Sequence, residues 1–246
     1  MIIAAWSGPR NLSTAMMYAF GARSDCAVQD EPFYAAFLAR SGEGHPMRDD
    51  ILRHQSTNPQ EVARCCAAAP PKGAQIVYQK HMAHHMIDGM PRDWFAHARH
   101  MILLRHPARV LASYARKRHA PTLDDIGARQ LTEIFETVAG QGTPPVVVDS
   151  DDIRADPAGM LAKLCVALDL RFDPAMLSWP AGGHKDDGVW ARHWYDAVHR
   201  STGFAGPSGP LPPVDEALRD VHDAALPHYE ALRVHAIKPA SRPLNG

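Results

Sequence analysis

The sequence predicts an α/β fold of three layers, α/β/α, with helices on both faces of a central, mostly parallel sheet. Three observations predict it. Short apolar runs near residues 2–6, 26–30, 75–80, 100–105 and 145–149 alternate with segments of helical composition. Several of these runs deliver charged residues at their carboxyl ends (Asp30 and Glu31, Lys80, Arg105), where open parallel sheets bind ligands. A chain of 246 residues at 46% hydrophobic composition can bury one full core, so a single domain over residues 1–237 is expected, followed by a frayed tail over 238–246.

The composition excludes some functions. A net charge of −1 provides no global basic surface, which argues against general nucleic-acid binding. No apolar run approaches the length of a bilayer span, and no basic-then-apolar leader precedes the first strand, so a cytoplasmic location is expected. Cys26, Cys65, Cys66 and Cys165 lack both C-x-x-C spacing and a secreted disulfide framework, and read as buried free thiols. His81, His84 and His85 have a helical metal-ligand spacing but no third ligand of matching placement; no metal is expected.

The opening stretch organises the rest. Ile2 to Trp6 is an apolar run of strand length, Ser7-Gly8-Pro9-Arg10-Asn11-Leu12-Ser13-Thr14 is a turn, and Ala15 to Phe20 is helix-forming. A strand–loop–helix junction gathers backbone N–H groups and the positive end of a helix around an anion. Arg10 adds a full charge, and Ser7, Ser13 and Thr14 add hydroxyls. This is read as a phosphate-binding loop. It is not the Walker loop, because aligning Thr14 with that motif's last residue leaves Ser13 at the lysine position and Leu12 and Ser7 at the glycine positions.

Further along, Cys26–Asp30 reads as a second strand and Phe33–Arg40 as a helix with Pro32 in its first turn. Asp30 is expected to cap that helix, and Glu31 is a carboxylate near the anion site. Asn58-Pro59-Gln60-Glu61 caps a helix expected to run through Ala69. Gln75–Lys80 is the third strand, ending at Lys80 and His81. His100–Arg105 is a buried strand, and Arg105, closing an apolar run at the sheet's edge, calls for an anion such as phosphate. Arg116, Lys117 and Arg118 read as a solvated basic helix face. Thr122–Ala139 is an amphipathic helix. Pro145–Asp149 is another strand, Asp156-Pro157 caps the next helix, and the acids from Asp149 onward are read as structural. Trp190 and Trp194, four apart, read as core contacts of one helix. Gly203–Pro213 is a Pro/Gly linker before a terminal helix, Val214–Arg233.

Two of these stretches resemble known motifs. Pro9-Arg10-Asn11-Leu12-Ser13-Thr14 is similar to the 5′-phosphosulfate loop of sulfotransferases, with Arg10 where that family has lysine and Leu12 where it often has glycine. Arg105, Pro107 and Ser113 fall at the spacing of the family's 3′-phosphate motif. Asp151-Asp152-Ile153 with Asp156-Pro157, a short segment opening at Leu170, and a late loop with Lys185 and Gly188-Val189-Trp190 follow the family's element order.

The resemblance implies a P-loop NTPase-like sulfotransferase fold and an enzyme using 3′-phosphoadenosine 5′-phosphosulfate as donor, without a metal, on a small-molecule hydroxyl or amine. It assigns Ser7, Gly8, Pro9, Arg10, Asn11, Ser13 and Thr14 to the 5′-phosphosulfate, and Arg105 and Ser113 to the 3′-phosphate. Arg10 and Lys80 would offset charge on the leaving phosphate oxygen. For the base, Glu31 is preferred. His81 is held in reserve, since it comes one residue earlier than the family's histidine and adjacent residues on a strand face opposite ways. Competing readings are a P-loop small-molecule kinase or hydrolase, and a non-catalytic nucleotide-binding module. The acceptor's identity and the oligomeric state are not legible in the sequence.

Overall fold

Residues 1–114 and 121–240 are described by a computed structural model. In chain order the elements are β1 (Ile2–Ser7), α1 (Ser13–Gly21), β2 (Cys26–Asp30), α2 (Tyr34–Ser41), α3 (Arg48–His54), α4 (Pro59–Cys66), β3 (Ile76–Met82), β4 (Arg99–Leu104) and α5 (Pro107–Tyr114). They continue with α6 (Leu123–Ile126), α7 (Ala128–Ala139), β5 (Val146–Asp149), α8 (Ser150–Ala155), α9 (Pro157–Ala167), α10 (Ala191–Trp194), α11 (Asp196–His199) and α12 (Arg219–Arg233). Arg116, Lys117 and Arg118 lie outside the described residues, as do residues 241–246 of the expected tail.

The five strands form one sheet, all pairs parallel, in the order β2-β3-β1-β4-β5. Every residue of β1 and β3 is buried, as expected of central strands covered on both faces. The chain leaves β1 toward β2 but leaves β4 toward β5, in opposite directions across the sheet. The carboxyl edge beside β1 is therefore a topological switch point, the place where such sheets open a ligand crevice.

Strand register decides which side chains share a face. Asp30 pairs with Lys80, Lys80 with Ala5, and Trp6 with His81. Lys80 and Met82 point to one face of the sheet; His81 points to the other, where its ring stacks on Trp6 at 4.4 Å. Trp6 donates Nε1–H to His100 Nδ1 at 2.9 Å, and His100 Nε2 lies 3.0 Å from the Phe95 carbonyl oxygen. With Trp94 and Phe95 these rings fill the core beneath β1.

Several expectations hold locally. Asn58 accepts from the amides of Gln60 and Glu61, and Asp156 from Gly159, each ahead of a proline that opens a helix. Others are corrected. The third strand extends two residues beyond Lys80, because Met82 still pairs with Ser7. The helix expected over 122–139 breaks at Gly127, whose φ of +69° ends α6 and starts α7. The break lets Gly127 approach the His84 backbone, where a Cβ would lie 3.1 Å from the amide nitrogen. Cys65 is exposed rather than buried. Among the described residues, no helix is long and apolar enough to cross a membrane.

Candidate active site

A cleft of about 400 Å³ opens at the switch point, a size suited to a small-molecule ligand. Its first wall is the loop between β1 and α1. A Cβ on Gly8 would lie 2.3 Å from the Ile126 carbonyl oxygen, so only glycine lets the loop pack there. Arg10 takes a left-handed φ of +56°, a strained conformation of the kind that gathers at ligand sites. Asn11 ties the loop down: its Oδ1 accepts from the Leu12 amide at 2.7 Å, and its Nδ2 donates to the Leu103 carbonyl at 2.8 Å, at the end of β4. The first intrahelical bond of α1 runs from Met16 N to Leu12 O, which leaves the amides of residues 13 to 15 without partners within the helix. Pro9, Arg10, Asn11, Ser13 and Thr14 all line the cleft. Ser7 and Gly8 do not. The Ser7 hydroxyl is buried against Met82 Sδ at 3.9 Å, because Ser7 is still part of the paired strand.

Arg105, at the junction of β4 and α5, and Ser113, in the last turn of α5, reach the same loop. Arg105 donates a guanidinium N–H to the Arg10 carbonyl, and Arg10 donates Nε–H to Ser113 Oγ at 3.1 Å. Burial, together with Arg154, Arg109 and Arg10, lowers the Arg105 pKa against the opposing pull of Asp151. That balance marks a half-buried cation short of negative charge. Arg109, from the same basic stretch, is committed elsewhere: it donates to Asp151 at 2.8 Å and to the carbonyls of Gly209 and Pro210. It fixes the Pro/Gly linker, whose Gly203 and Ala205 line the cleft.

The floor is a buried charged network. Glu31 takes a left-handed φ of +40° directly after β2, and both it and Asp30 reach Lys80. Lys80 Nζ donates to Asp30 Oδ1 at 2.9 Å, to Glu31 Oε1, and to the Tyr195 hydroxyl at 2.6 Å. Tyr195 in turn bonds to Asp30 at 2.9 Å and accepts from Trp190 Nε1 at 3.0 Å. Asp30 Oδ2 also accepts the Gly188 amide at 3.0 Å. Burial pushes the Glu31 carboxyl above its ordinary range despite the Lys80 charge. For Lys80 the two carboxylates outweigh burial, and its pKa is raised.

Three expectations change as a result. Asp30 does not cap α2, because its carboxylate is spent on Lys80, Tyr195 and Gly188. Lys80 lines the cleft, but its ammonium is fully engaged and is not a spare cation for a leaving group. His81 does not line the cleft: it is buried on the opposite face, and burial, then His100 and Lys80, hold its pKa well below the ordinary value. Of the late loop, Gly188 touches the site through its amide and Trp190 is core, whereas Lys185 is solvent-facing beside Asp186.

The cleft has an aromatic end, drawn in part from stretches 33–54 and 81–90, whose mix of aromatic, methionine and histidine residues suits a small organic acceptor. Tyr34, His45, His85, Trp194 and Tyr195 line it. The Tyr34 hydroxyl lies 2.6 Å from His45 Nδ1, and the His85 ring is sandwiched between Tyr34 and Phe37 at 4.6 and 4.8 Å. These residues come from four separate stretches, and no spacing in the sequence links them. Among the described residues, no group of three or more His, Cys, Asp or Glu side chains is arranged to hold a metal ion.

Comparison with known proteins gives a consistent family. Residues 1–236 match the family model described as "Sulfotransferase domain". The sulfotransferase domain from the curacin biosynthetic pathway superposes with a TM-score of 0.55 at 14% identity, over 91% of this chain and 96% of that one. A sulfotransferase from Alicyclobacillus acidocaldarius gives 0.51 at 12% identity, over 96% of each chain. In Arabidopsis thaliana, two proteins called branched-chain-amino-acid aminotransferase-like protein 1 and 2 are 37% and 36% identical over 234 residues. That match takes in 95% of this chain but only 42% of each relative, so the chain spans less than half their length.

Proposed function

The chain belongs to the sulfotransferase family, and from that premise we propose that it transfers a sulfuryl group from 3′-phosphoadenosine 5′-phosphosulfate to a hydroxyl or amine of a small molecule. One observation carries the reading: Arg10 from the loop after β1, Arg105 from the end of β4 and Ser113 from α5 are bonded into a single rim around the start of α1. A donor with anionic groups at the 3′ and 5′ positions of one ribose needs two neighbouring anion sites of this kind. The loop amides and Arg10 receive the 5′-phosphosulfate, and Arg105 and Ser113 receive the 3′-phosphate.

In the transfer, the acceptor's heteroatom attacks sulfur in line. The bond from sulfur to the 5′-phosphate oxygen breaks, and its electron pair stays on that oxygen. Arg10 and the loop amides stabilise the charge that accumulates there. Glu31, raised by burial, takes the acceptor's proton; such assistance contributes about 10²–10⁴-fold. Lys80 acts through Glu31 and Asp30 by fixing their positions.

Turnover of sulfur-labelled donor against alcohols, phenols and amines tests the reading. Labelled product is expected, and donor left intact under all conditions argues for a binding module. The P-loop kinase reading requires magnesium-dependent ATP binding, and the absence of the Walker lysine and glycines weighs against it. The relatives' aminotransferase-like name finds no support in Lys80, since Schiff-base chemistry needs a lysine that gives up its proton, and two carboxylates hold this one charged.

A further inference from the structure

His85 takes no part in the scheme above, yet it is the most conspicuous polar group in the cleft. It is 2% exposed, and neither ring nitrogen has a hydrogen-bond partner. An orphaned buried polar group is destabilising and rare in native proteins. The ring is held in plane: Tyr34 and Phe37 stack on its two faces at interplanar angles of 24° and 23°. Its Nε2 lies 3.9 Å from Glu31 Oε2, too far for a direct bond. The other oxygen of Glu31 is the one held by Lys80 and Tyr195.

Two polar atoms so placed can share one ligand atom. An oxygen about 2.8 Å from each would complete a triangle with an angle near ~90° at that oxygen. We propose that His85 and Glu31 Oε2 together form the seat of the acceptor's attacking atom, and that this seat selects a hydroxyl over an amine. The proposal rests on the sulfotransferase reading and adds a residue and a substrate class to it.

The selection follows from donor and acceptor counts. A hydroxyl both donates and accepts, so it can satisfy an imidazole and a carboxyl at once and still aim a lone pair at sulfur. An ammonium carries only donors and no lone pair for attack. Burial, then His84, His45, Lys80 and His81, hold His85 neutral, leaving one ring nitrogen as an acceptor. In the step itself, a sulfur–oxygen bond forms to the acceptor, the sulfur–oxygen bond to the 5′-phosphate breaks with its electron pair left on the phosphate, and the hydroxyl proton passes to the seat. The aromatic wall of Tyr34, His45 and Trp194 would take an apolar or planar body behind that hydroxyl.

The test uses protein saturated with 3′-phosphoadenosine 5′-phosphate and a panel of alcohols and phenols, each paired with its matching primary amine, read by ligand-observed NMR. Binding of alcohols or phenols in preference to their amines is expected. Replacing His85→Phe keeps the stacking and removes both nitrogens; it should weaken that binding by about tenfold or more, while His85→Gln stays within about threefold. The nucleotide's own affinity should be unchanged in both variants. Equal binding of the amines, no binding by any alcohol or phenol, or full retention in His85→Phe would overturn the proposal with the donor reading intact. Failure of the wild type to bind the nucleotide would sink the donor reading instead. Should His85→Phe fail to fold, ¹⁵N-histidine spectra of the wild type decide: the His85 ring resonances must move when a bound alcohol is added, and unmoved resonances refute the seat.

Discussion

Two clusters of charge share one cleft and are built in opposite ways. On the rim, Arg10 and Arg105 sit half-buried with Ser113, joined to each other through a carbonyl and a hydroxyl and with no carboxylate among these bonds. On the floor, Lys80 is almost wholly buried and meets two carboxylates and a phenol within bonding distance. The floor supplies its own counter-charges, whereas at the rim burial lowers the Arg105 pKa against the pull of Asp151. A site that must bind and release a polyanion needs cations of the first kind. A site that must hold a base still needs the second kind, because a buried ion network resists rearrangement.

Breaking the floor should therefore cost stability, and breaking the rim should cost binding. The largest effect is expected from Lys80→Met, which strands Asp30 and Glu31 without their counter-ion. A loss of about 3–5 kcal/mol is expected, read as a fall in melting temperature of roughly 6–20 °C. A change below about 2 °C would mean that the carboxylates do not depend on Lys80. Arg105→Ala is the converse. It should weaken 3′-phosphoadenosine 5′-phosphate binding by about 30-fold or more and leave the unfolding midpoint nearly unmoved. Retained affinity in calorimetric titration would remove Arg105 from the site.

Tyr195→Phe sharpens the contrast at smaller scale. It deletes the hydroxyl shared by Lys80, Trp190 and Asp30 and should destabilise by about 1–3 kcal/mol in urea unfolding. Counted per residue, the smallest effect is one of pH. Burial holds His81, His85 and His100 below the ordinary histidine value. The unfolded chain therefore binds more protons than the folded one below about pH 6.5, and stability falls as pH drops through that point, by up to ~1.4 kcal/mol per pH unit for each histidine. Glu31, raised by burial, works in the opposite sense over a window that runs upward from the ordinary carboxylate value. A melting temperature unchanged between pH 7 and pH 5.5 would contradict the assignment of these imidazoles as neutral.

The contrast also explains what the sequence made legible. The rim was readable because each part lies beside a strong local signal: an apolar strand, a turn with glycine and proline, and an arginine closing a buried run. The caps at Asn58 and Asp156 are local in the same way. The floor was only half readable. Asp30, Glu31 and Lys80 stand at strand ends, but Tyr195, which joins them, lies 115 residues beyond Lys80. His81 was held in reserve on parity, since a one-residue step along β3 reverses the face, and its ring lies against Trp6 on the face away from the cleft. His85 falls in a stretch, 81–90, whose composition reads as pocket-lining, but nothing in that stretch singles out its ring. Its place between Tyr34 and Phe37 depends on how α2 packs against the segment after β3, which no spacing encodes.

The most direct measurement compares the calorimetric affinities of 3′-phosphoadenosine 5′-phosphate and adenosine 5′-phosphate, which differ only in the 3′-phosphate. The wild type is expected to favour the bis-phosphate by about 30-fold or more, and Arg105→Ala to lose most of that preference. Equal affinity of the wild type for the two nucleotides would contradict a second phosphate site at Arg105 and Ser113.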